Sequence, residues 1–257
     1  MTTRVAIAGA SGRMGRLARS IVNELDGFAI HAELGSQTPL SDMLGADVVI
    51  DVTTPAVSPA VVSFAVENGI NVLVGTSGWS ADRLAQLRTQ LVTQPNVGIV
   101  VIPNFSIGSV LGTALSTIAG QFFDSIEIIE AHHAGKIDSP SGTAVRTAEL
   151  IAAARGDRGP VEAPFADQIA RGEQVASIPI HSLRMAGVLA KQEVILGGTG
   201  EVLTITHDTI SPEAYSTGMR AALKAVTTAT GLTVGLDQVL GLDFSKVRAT
   251  PDAEARS

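Results

Sequence analysis

The feature that most constrains the fold lies at the N-terminus, where Val5-Ala6-Ile7-Ala8 runs without a polar break into Gly9-Ala10-Ser11-Gly12-Arg13-Met14-Gly15. A short apolar run followed at once by glycines is how a strand buried on both faces reads, and Arg13 to Leu25 then repeats apolar residues at helical spacing. Strand, tight turn and helix in that order leave the first helical amides pointing at whatever anion sits in the turn. The glycine spacing is GxxGxxG rather than GxGxxG, so the loop by itself is a weak signal. Its place between strand and helix is what favours a dinucleotide pyrophosphate over a structural turn.

The alternation continues. Phe28 to Leu34 and Asp47 to Val52 read as strands, Ser58 to Asn68 as a helix stopped by Gly69, and Val72 to Gly75 as a strand. Ser80 to Val92 (helix) and Val97 to Ile102 (strand) complete the series. This order predicts right-handed crossovers and an α/β, Rossmann-like, doubly wound parallel sheet, with ligands outside the carboxyl ends of the strands. The loops Asp51-Val52-Thr53-Thr54-Pro55, Gly75-Thr76-Ser77 and Ile102-Pro103-Asn104-Phe105 then place their polar groups along a bound dinucleotide, although each also suits ordinary turn chemistry. Trp79 is left without a role.

The second strand ends in Gly35-Ser36, with no acid at its tip to hydrogen-bond ribose hydroxyls. Glu33 stands two residues earlier, on the same face but one pleat deeper. A tip without a carboxylate does not repel a 2′-phosphate, and Ser36 with Arg13 or Arg16 supplies donors. NADPH is therefore expected to serve at least as well as NADH.

After Asn104 the texture changes. A helix from Ile107 to Ala119, an alternating stretch from Ser125 to Ala131, a polar loop and a helix from Thr143 to Ala154 are followed by a long Gly-, Pro- and charge-rich loop, Arg155 to Glu173. Gln192 to Leu196 and Glu201 to His207 read as hairpin strands around Gly197-Gly198-Thr199-Gly200. This is a second, α+β domain with a mixed sheet, and the helical spacing of Tyr215 to Thr230 suits a final helix that packs back on the first sheet. The expected organisation is a discontinuous dinucleotide-binding domain, 1–104 and 215–257, around a substrate-binding and oligomerisation domain, 105–214, with hinges near Asn104 and Pro212.

Composition narrows the partners. With 257 residues, 45% of them hydrophobic, the chain can bury the core of one large domain or two modest ones. A net charge of -7 and a pI near 5.2 give no field favouring nucleic acid or an anionic membrane, so any anionic ligand must be held by local charge. No cysteine is present to form a disulfide, a thiol nucleophile or a thiolate metal site. Met1-Thr2-Thr3-Arg4 shows no signal-peptide h-region, and no uncharged apolar run is long enough to span a bilayer, which predicts a cytoplasmic protein.

Local charge and reactivity concentrate in Glu130-Ala131-His132-His133-Ala134-Gly135-Lys136-Ile137-Asp138-Ser139-Pro140-Ser141-Gly142-Thr143-Ala144. Two histidines at a strand end and a lysine three residues on bring proton-transfer and cationic groups into one loop. Adjacent strand residues face opposite ways, so one histidine titrates while the other binds or packs. Ser141 suits an N-cap, leaving the Gly142 and Thr143 amides at a helix's positive end as a carboxylate receptor. A metal held by His132, His133, Asp138 or Glu130 is the rival reading, but the helical HExxH spacing is missing and no metal is expected. His31, His181 and His207 read as structural, and Arg184 could help bind an anion.

Glu-Ala-His-His-x-x-Lys-x-Asp-x-Pro-Ser-Gly-Thr-Ala resembles the signature of the 4-hydroxy-tetrahydrodipicolinate reductase (dihydrodipicolinate reductase) family, of the diaminopimelate route to lysine. The glycine loop, Gly75-Thr76-Ser77, Pro103-Asn104-Phe105 and the closing Gly231-Leu232-Thr233-Val234-Gly235-Leu236 resemble family positions in the same order. The resemblance implies an NADPH- or NADH-dependent oxidoreductase that reduces a cyclic imine dicarboxylate, and a homotetramer. It implies His132 as proton donor/acceptor, Lys136 as a second proton donor, and His133, Ser141, Gly142 and Thr143 around the substrate's carboxylates. For the cofactor it implies Gly9, Ala10, Ser11, Gly12, Arg13, Met14, Gly75, Thr76, Ser77, Ile102, Pro103, Asn104 and Phe105, to which the tip residue Ser36 is added. The family usually carries an acid where Gly35 stands, which again bears on the choice of cofactor. The competing readings are a related two-domain amino-acid or sugar dehydrogenase, and a non-catalytic dinucleotide sensor.

Overall fold

The computed structural model describes residues 2–242. The first element, β1 (Thr3–Ala8), leads through the glycine turn into α1 (Arg13–Glu24), which buries Gly15, Ala18, Ile21 and Val22 at helical spacing. β2 (Phe28–Leu34), β3 (Val48–Asp51), α2 (Ser58–Glu67), β4 (Asn71–Val74), α3 (Ala81–Leu91) and β5 (Gly98–Val101) follow in alternation. Every residue of β3 and β5 is buried, as strands covered on both faces must be, and all but the last residue of β3, Asp51, are apolar or glycine.

The chain then builds a second unit: α4 (Ile107–Ala119), β6 (Ser125–His133), α5 (Gly142–Arg155), β7 (Glu173–Val175), β8 (Ile178–Met185), β9 (Ala190–Gly198) and β10 (Glu201–Thr209). The strands form a mixed sheet in the order β10-β9-β6-β8-β7, in which β6 and β8 are parallel and the other neighbours antiparallel. Along β6 the alternate residues Ile126, Ile128 and Glu130 are buried, the two isoleucines against Ala144, Ala148 and Ile151 of α5. β9 and β10 are joined by the two-residue turn Thr199-Gly200, where Gly200 adopts φ +82.

From Glu213 the chain returns to the first unit as a 3-10 turn (Pro212–Tyr215), α6 (Ser216–Val226), β11 (Gly231–Val234) and α7 (Leu236–Val239). The first sheet is all parallel, ordered β11-β5-β4-β3-β1-β2. On one face α2 and α3 pack over Ala6, Val49, Val72 and Ile99. α1 and α6 lie against each other, α6 contributing the buried Met219, Ala222, Leu223 and Val226.

Compact units therefore run from residue 2 to 107 with Glu213–Leu242, and over Gly108–Pro212. The expected placement of 243–257 in the dinucleotide domain lies outside the described residues. Three sequence expectations need correction. The last helix was expected to reach Thr230, but it stops at Val226, and Gly231, at φ +71, gives its amide to Val97 and starts a strand. The expected long loop from Arg155 contains 3-10 turns at Gly156–Arg158 and Ile169–Arg171, and buries Val161 in the core. β8 was not anticipated as an element of its own, although it lies beside β6.

Candidate active site

In the first unit the glycine loop lies at the point where β1 has β2 on one side and β3 on the other, the switch point at which such sheets bind ligands. Two of its glycines are required by packing. Gly9 adopts φ +86, and a Cβ there would lie 2.5 Å from the Val52 carbonyl oxygen. A Cβ at Gly15 would lie 2.2 Å from the Gly9 oxygen and 2.6 Å from the Ala10 Cα. Gly12 is different: an added Cβ would meet only the Gly9 oxygen, at 3.3 Å. α1 starts with no side-chain cap and no acid in its first turn, so its positive end faces the loop. Arg16 folds over the loop, Nη1 donating to the Ser11 carbonyl at 2.6 Å. This donor set fits a pyrophosphate.

The loops after β3 and β4 are tied together by Asp51. Its fully buried carboxylate accepts from the Thr53 amide (3.1 Å), the Thr53 hydroxyl (2.6 Å) and the Ser58 hydroxyl. Trp79 Nε1 donates to the same Ser58 oxygen at 3.0 Å, and the Thr76 hydroxyl donates to the Asp51 carbonyl at 3.3 Å. Turn-forming donors thus consume the Asp51 carboxylate, the ordinary turn chemistry that this loop also suits.

The cofactor candidates divide by exposure. Ser11, Gly12, Arg13, Ser36, Ser77 and Pro103 are exposed, and Gly9, Met14, Gly75 and Asn104 are half-buried. Ala10, Thr76, Ile102 and Phe105 are buried, and a Cβ at Gly75 would lie 2.6 Å from the Phe105 ring. Those four side chains serve the packing; what they offer a ligand is backbone. The Asn104 side-chain oxygen accepts from the Ser106 amide at 2.9 Å and so shapes the turn. Glu33 is paired with Arg19.

In the second unit the reactive segment leaves β6 and enters α5. Glu130 and His132 are two apart on the strand and share a face, and His132 Nδ1 lies 2.6 Å from Glu130 Oε2. Glu130 is fully buried. Arg184 of β8 grips its carboxylate with both terminal nitrogens, and the Ser141 amide donates to Oε1 at 3.2 Å. Burial alone would raise the Glu130 carboxyl, but hydrogen bonds from His132, Arg184 and Ser182 outweigh it and bring it from 4.5 to about 2.

The Lys136 amide closes a turn onto the His133 carbonyl (3.0 Å), and its Nζ meets both carboxylate oxygens of Asp138 at 2.7 and 2.8 Å. That contact holds the Asp138 carboxyl below its usual range. Ser141 caps α5 as anticipated, its hydroxyl accepting from the Ala144 amide at 3.3 Å. Gly142 and Thr143 are the first two helical residues, whose amides have no intrahelical acceptor. His133, the last residue of β6, is half-buried.

Sequence reasoning placed Glu130 in the reactive segment and allowed Arg184 an anion, but missed that the two bond each other and that Glu130 bonds His132. The bond to His132 was legible, since Glu-x-His on a strand puts both side chains on one face. The bond to Arg184 was not, because the contact joins residues 54 apart. As the metal ligand of the rival reading Glu130 has little room, because both its oxygens are already bonded. Among the described residues no group of three or more His, Asp or Glu is arranged to hold a metal ion.

This geometry can be set beside known proteins. Residues 3–105 match the family model described as dihydrodipicolinate reductase, N-terminus, and residues 108–240 match dihydrodipicolinate reductase, C-terminus. The chain belongs to the dihydrodipicolinate reductase family. It is 60% identical over 253 residues to the 4-hydroxy-tetrahydrodipicolinate reductase of Clavibacter sepedonicus, covering 98% of this chain and 91% of that one. The Streptomyces griseus reductase of the same name is 43% identical over 246 residues, 93% of this chain and 98% of its own. Among solved structures, the dipicolinate-bound dihydrodipicolinate reductase of Paenisporosarcina sp. TG-14 superposes with a TM-score of 0.78 at 30% identity, over 93% of this chain and 99% of that one. An amine dehydrogenase from Mycobacterium smegmatis reaches 0.60 at 10% identity, over 92% and 96%, which is a likeness of fold alone. This family member is thus an oxidoreductase with a nicotinamide-nucleotide domain, and the competing amino-acid or sugar dehydrogenase reading keeps only the fold. No described helix is long and apolar enough to cross a membrane.

Proposed function

We propose that this chain reduces 4-hydroxy-tetrahydrodipicolinate to tetrahydrodipicolinate in the diaminopimelate route to lysine. NADH or NADPH supplies the hydride. The substrate loses water to give a conjugated imine, which gains that hydride and one proton, so NAD(P)⁺ and water are the other products.

One observation carries the reading. The carboxylate of Glu130 bonds the imidazole of His132 on one oxygen and the entry of α5 on the other, so proton donor and anion receptor are built as one piece. An enzyme acting on a cyclic imine dicarboxylate needs both within one small site. His132 supplies or takes the proton and Lys136 acts as a second donor. His133, Ser141 and the Gly142 and Thr143 amides hold the carboxylates at the helix's positive end. On the other unit, Gly9 to Met14, Ser36, Gly75 to Ser77 and Ile102 to Phe105 hold the cofactor, through backbone groups where side chains are buried. A cytoplasmic homotetramer assembled through the second unit belongs to the same proposal.

The test follows oxidation of NADH and of NADPH with substrate freshly made by the preceding synthase. Turnover with at least one is expected, with kcat reduced at least about 100-fold in His132→Gln. Turnover with neither would overturn the reading and leave a dinucleotide sensor as the surviving alternative.

A further inference from the structure

We infer that Glu130 and Arg184 are positioning residues, which fix the proton on Nδ1 of His132 so that Nε2 is the nitrogen that exchanges protons with substrate, and hold the Lys136 loop to the same frame. The inference rests on the proton-transfer reading of His132 and Lys136 above.

An ionised carboxylate only accepts hydrogen bonds, so the 2.6 Å contact between Glu130 Oε2 and His132 Nδ1 must be donated by the ring. The proton on Nδ1 is thereby assigned, and Nε2 becomes the exchanging atom. The carboxylate itself cannot turn. Oε2 also accepts from Arg184 Nη1 at 2.9 Å, while Oε1 accepts from Arg184 Nη2 at 2.8 Å and from the Ser141 amide at 3.2 Å. Rotation would break all of these at once around a carboxylate that is itself fully buried.

Arg184 keeps the exchange one-sided. Its fixed positive charge beside Glu130 disfavours transfer of the Nδ1 proton to the carboxylate, so a proton gained at Nε2 leaves from Nε2. When the ring holds both protons its charge is met by the carboxylate, with no water needing to reorganise.

The same guanidinium reaches the second proton donor. Nη1 donates to the Leu183 carbonyl at 2.6 Å, and Nη2 to the Asp138 carbonyl at 2.7 Å, in the loop whose Asp138 side chain pairs with Lys136. Arg184 Nε is buried without a partner, a cost the four bonds of its terminal nitrogens offset. A buried ion pair is a poor device for stability alone, since apolar residues of similar volume do as well. Here one carboxylate oxygen is aimed at the imidazole and the other at the entry of α5, which an apolar pair would not provide.

The experiment uses the full chain carrying Glu130→Gln, Arg184→Lys or His132→Gln, each checked for thermal stability and NADH affinity, with synthase-made 4-hydroxy-tetrahydrodipicolinate. Glu130→Gln is expected to lower kcat by about 30-fold or more, leave the NADH dissociation constant within about threefold, and displace the alkaline limb of the kcat–pH profile to lower pH. Nitrogen-15 NMR of the His132 ring should show the Nδ1–H tautomer in the parent and its loss in Glu130→Gln. Adding Glu130→Gln to His132→Gln should cost little more, as expected for residues acting as a unit. Should Glu130→Gln fail to fold, Arg184→Lys, which keeps the charge and loses the fork, carries the same measurements. An unchanged kcat and pH profile in the folded variant, beside an impaired His132→Gln, overturns the inference and spares the functional reading. Near-normal turnover in His132→Gln overturns the functional reading itself, and the inference with it.

Discussion

Lys136 Nζ meets the two carboxylate oxygens of Asp138 at 2.7 and 2.8 Å, and the Asp138 side chain is 64% exposed. The pair places an anion on the proposed second proton donor, in the loop that leads to the proposed carboxylate receptor. Exposed ion pairs contribute about 0–1 kcal/mol, so a substrate that displaces Asp138 loses little by doing so. Asp138→Asn is therefore expected to lower KM for the dicarboxylate by no more than about fivefold, with kcat little changed, because the Asp138 carbonyl still accepts from Arg184. Steady-state kinetics check this, and a rise in KM would show that Asp138 helps the substrate bind.

The depressed carboxyl of Glu130 links stability to pH. An unfolded glutamate ionises near 4.5 and the folded one at about 2, so its contribution is complete above the unfolded value and is lost as pH falls from 4.5 toward 2. The full gap corresponds to on the order of 3 kcal/mol. Glu130→Gln has no such dependence. Urea denaturation of both proteins at pH 5 and pH 3 should show the parent losing about 2 kcal/mol more than the variant between the two. Parallel losses would place the ionisation elsewhere.

The sequence was most informative where one residue's neighbours decide its fate. Runs such as Val48-Val49-Ile50 and Ile99-Val100-Val101 need cover on both faces, and only a parallel sheet with helices on each side provides it. β8 escaped because Ile178 to Met185 mixes Pro179, Ser182 and Arg184 with apolar residues, and its place beside β6 is set by a parallel pairing across some fifty residues. β11 is four half-buried residues at the sheet edge, too short to separate from the helix before it. The site divides in the same way. His132, Lys136 and the Ser141 cap declare themselves by type and spacing, whereas Arg184 acquires its meaning only from the fold.

The two kinds of glycine in the first turn make opposite predictions. Gly15→Ala drives a Cβ into the Gly9 and Ala10 backbone, where nothing flexible can give way. Overpacking of that kind costs about 1–3 kcal/mol or more, so Tm should fall by about 5 °C or more. Gly12→Ala meets a single oxygen at 3.3 Å and should melt within about 2 °C of the parent. It should nevertheless weaken NADH about tenfold or more, because the added methyl stands at the uncapped start of α1 where the pyrophosphate is proposed to approach. Thermal melts and fluorescence titration separate the two, and unchanged NADH affinity in Gly12→Ala would remove the pyrophosphate from this turn.

The proposed homotetramer makes a prediction about the second sheet. β10 is an edge strand that leaves Val202 68% exposed, and Leu183 and Met185 on β8 are 41% and 47% exposed. Open edges and apolar faces of this kind are ordinarily covered. Light scattering should give a mass near four times 26.4 kDa, and Val202→Glu should lower it. A monomer at micromolar concentration would overturn this part of the proposal.

Cofactor choice turns on what stands at the tip of β2. Glu33 is held by Arg19, Gly35 brings no charge, and Ser36 and Arg13 are exposed. Nothing at that tip repels a 2′-phosphate, so kcat/KM with NADPH should equal or exceed that with NADH. Gly35 also allows a direct test. It does not adopt a positive φ, and a Cβ there would meet only the Thr38 hydroxyl at 4.0 Å, so Gly35→Asp can be accommodated without strain. A carboxylate at that tip should cut NADPH efficiency by about tenfold or more through like-charge repulsion, while NADH, whose free ribose hydroxyls can donate to it, stays within about threefold. Strict use of NADH by the parent, or equal losses with both cofactors in the variant, would mean that the ribose is held somewhere other than the end of β2.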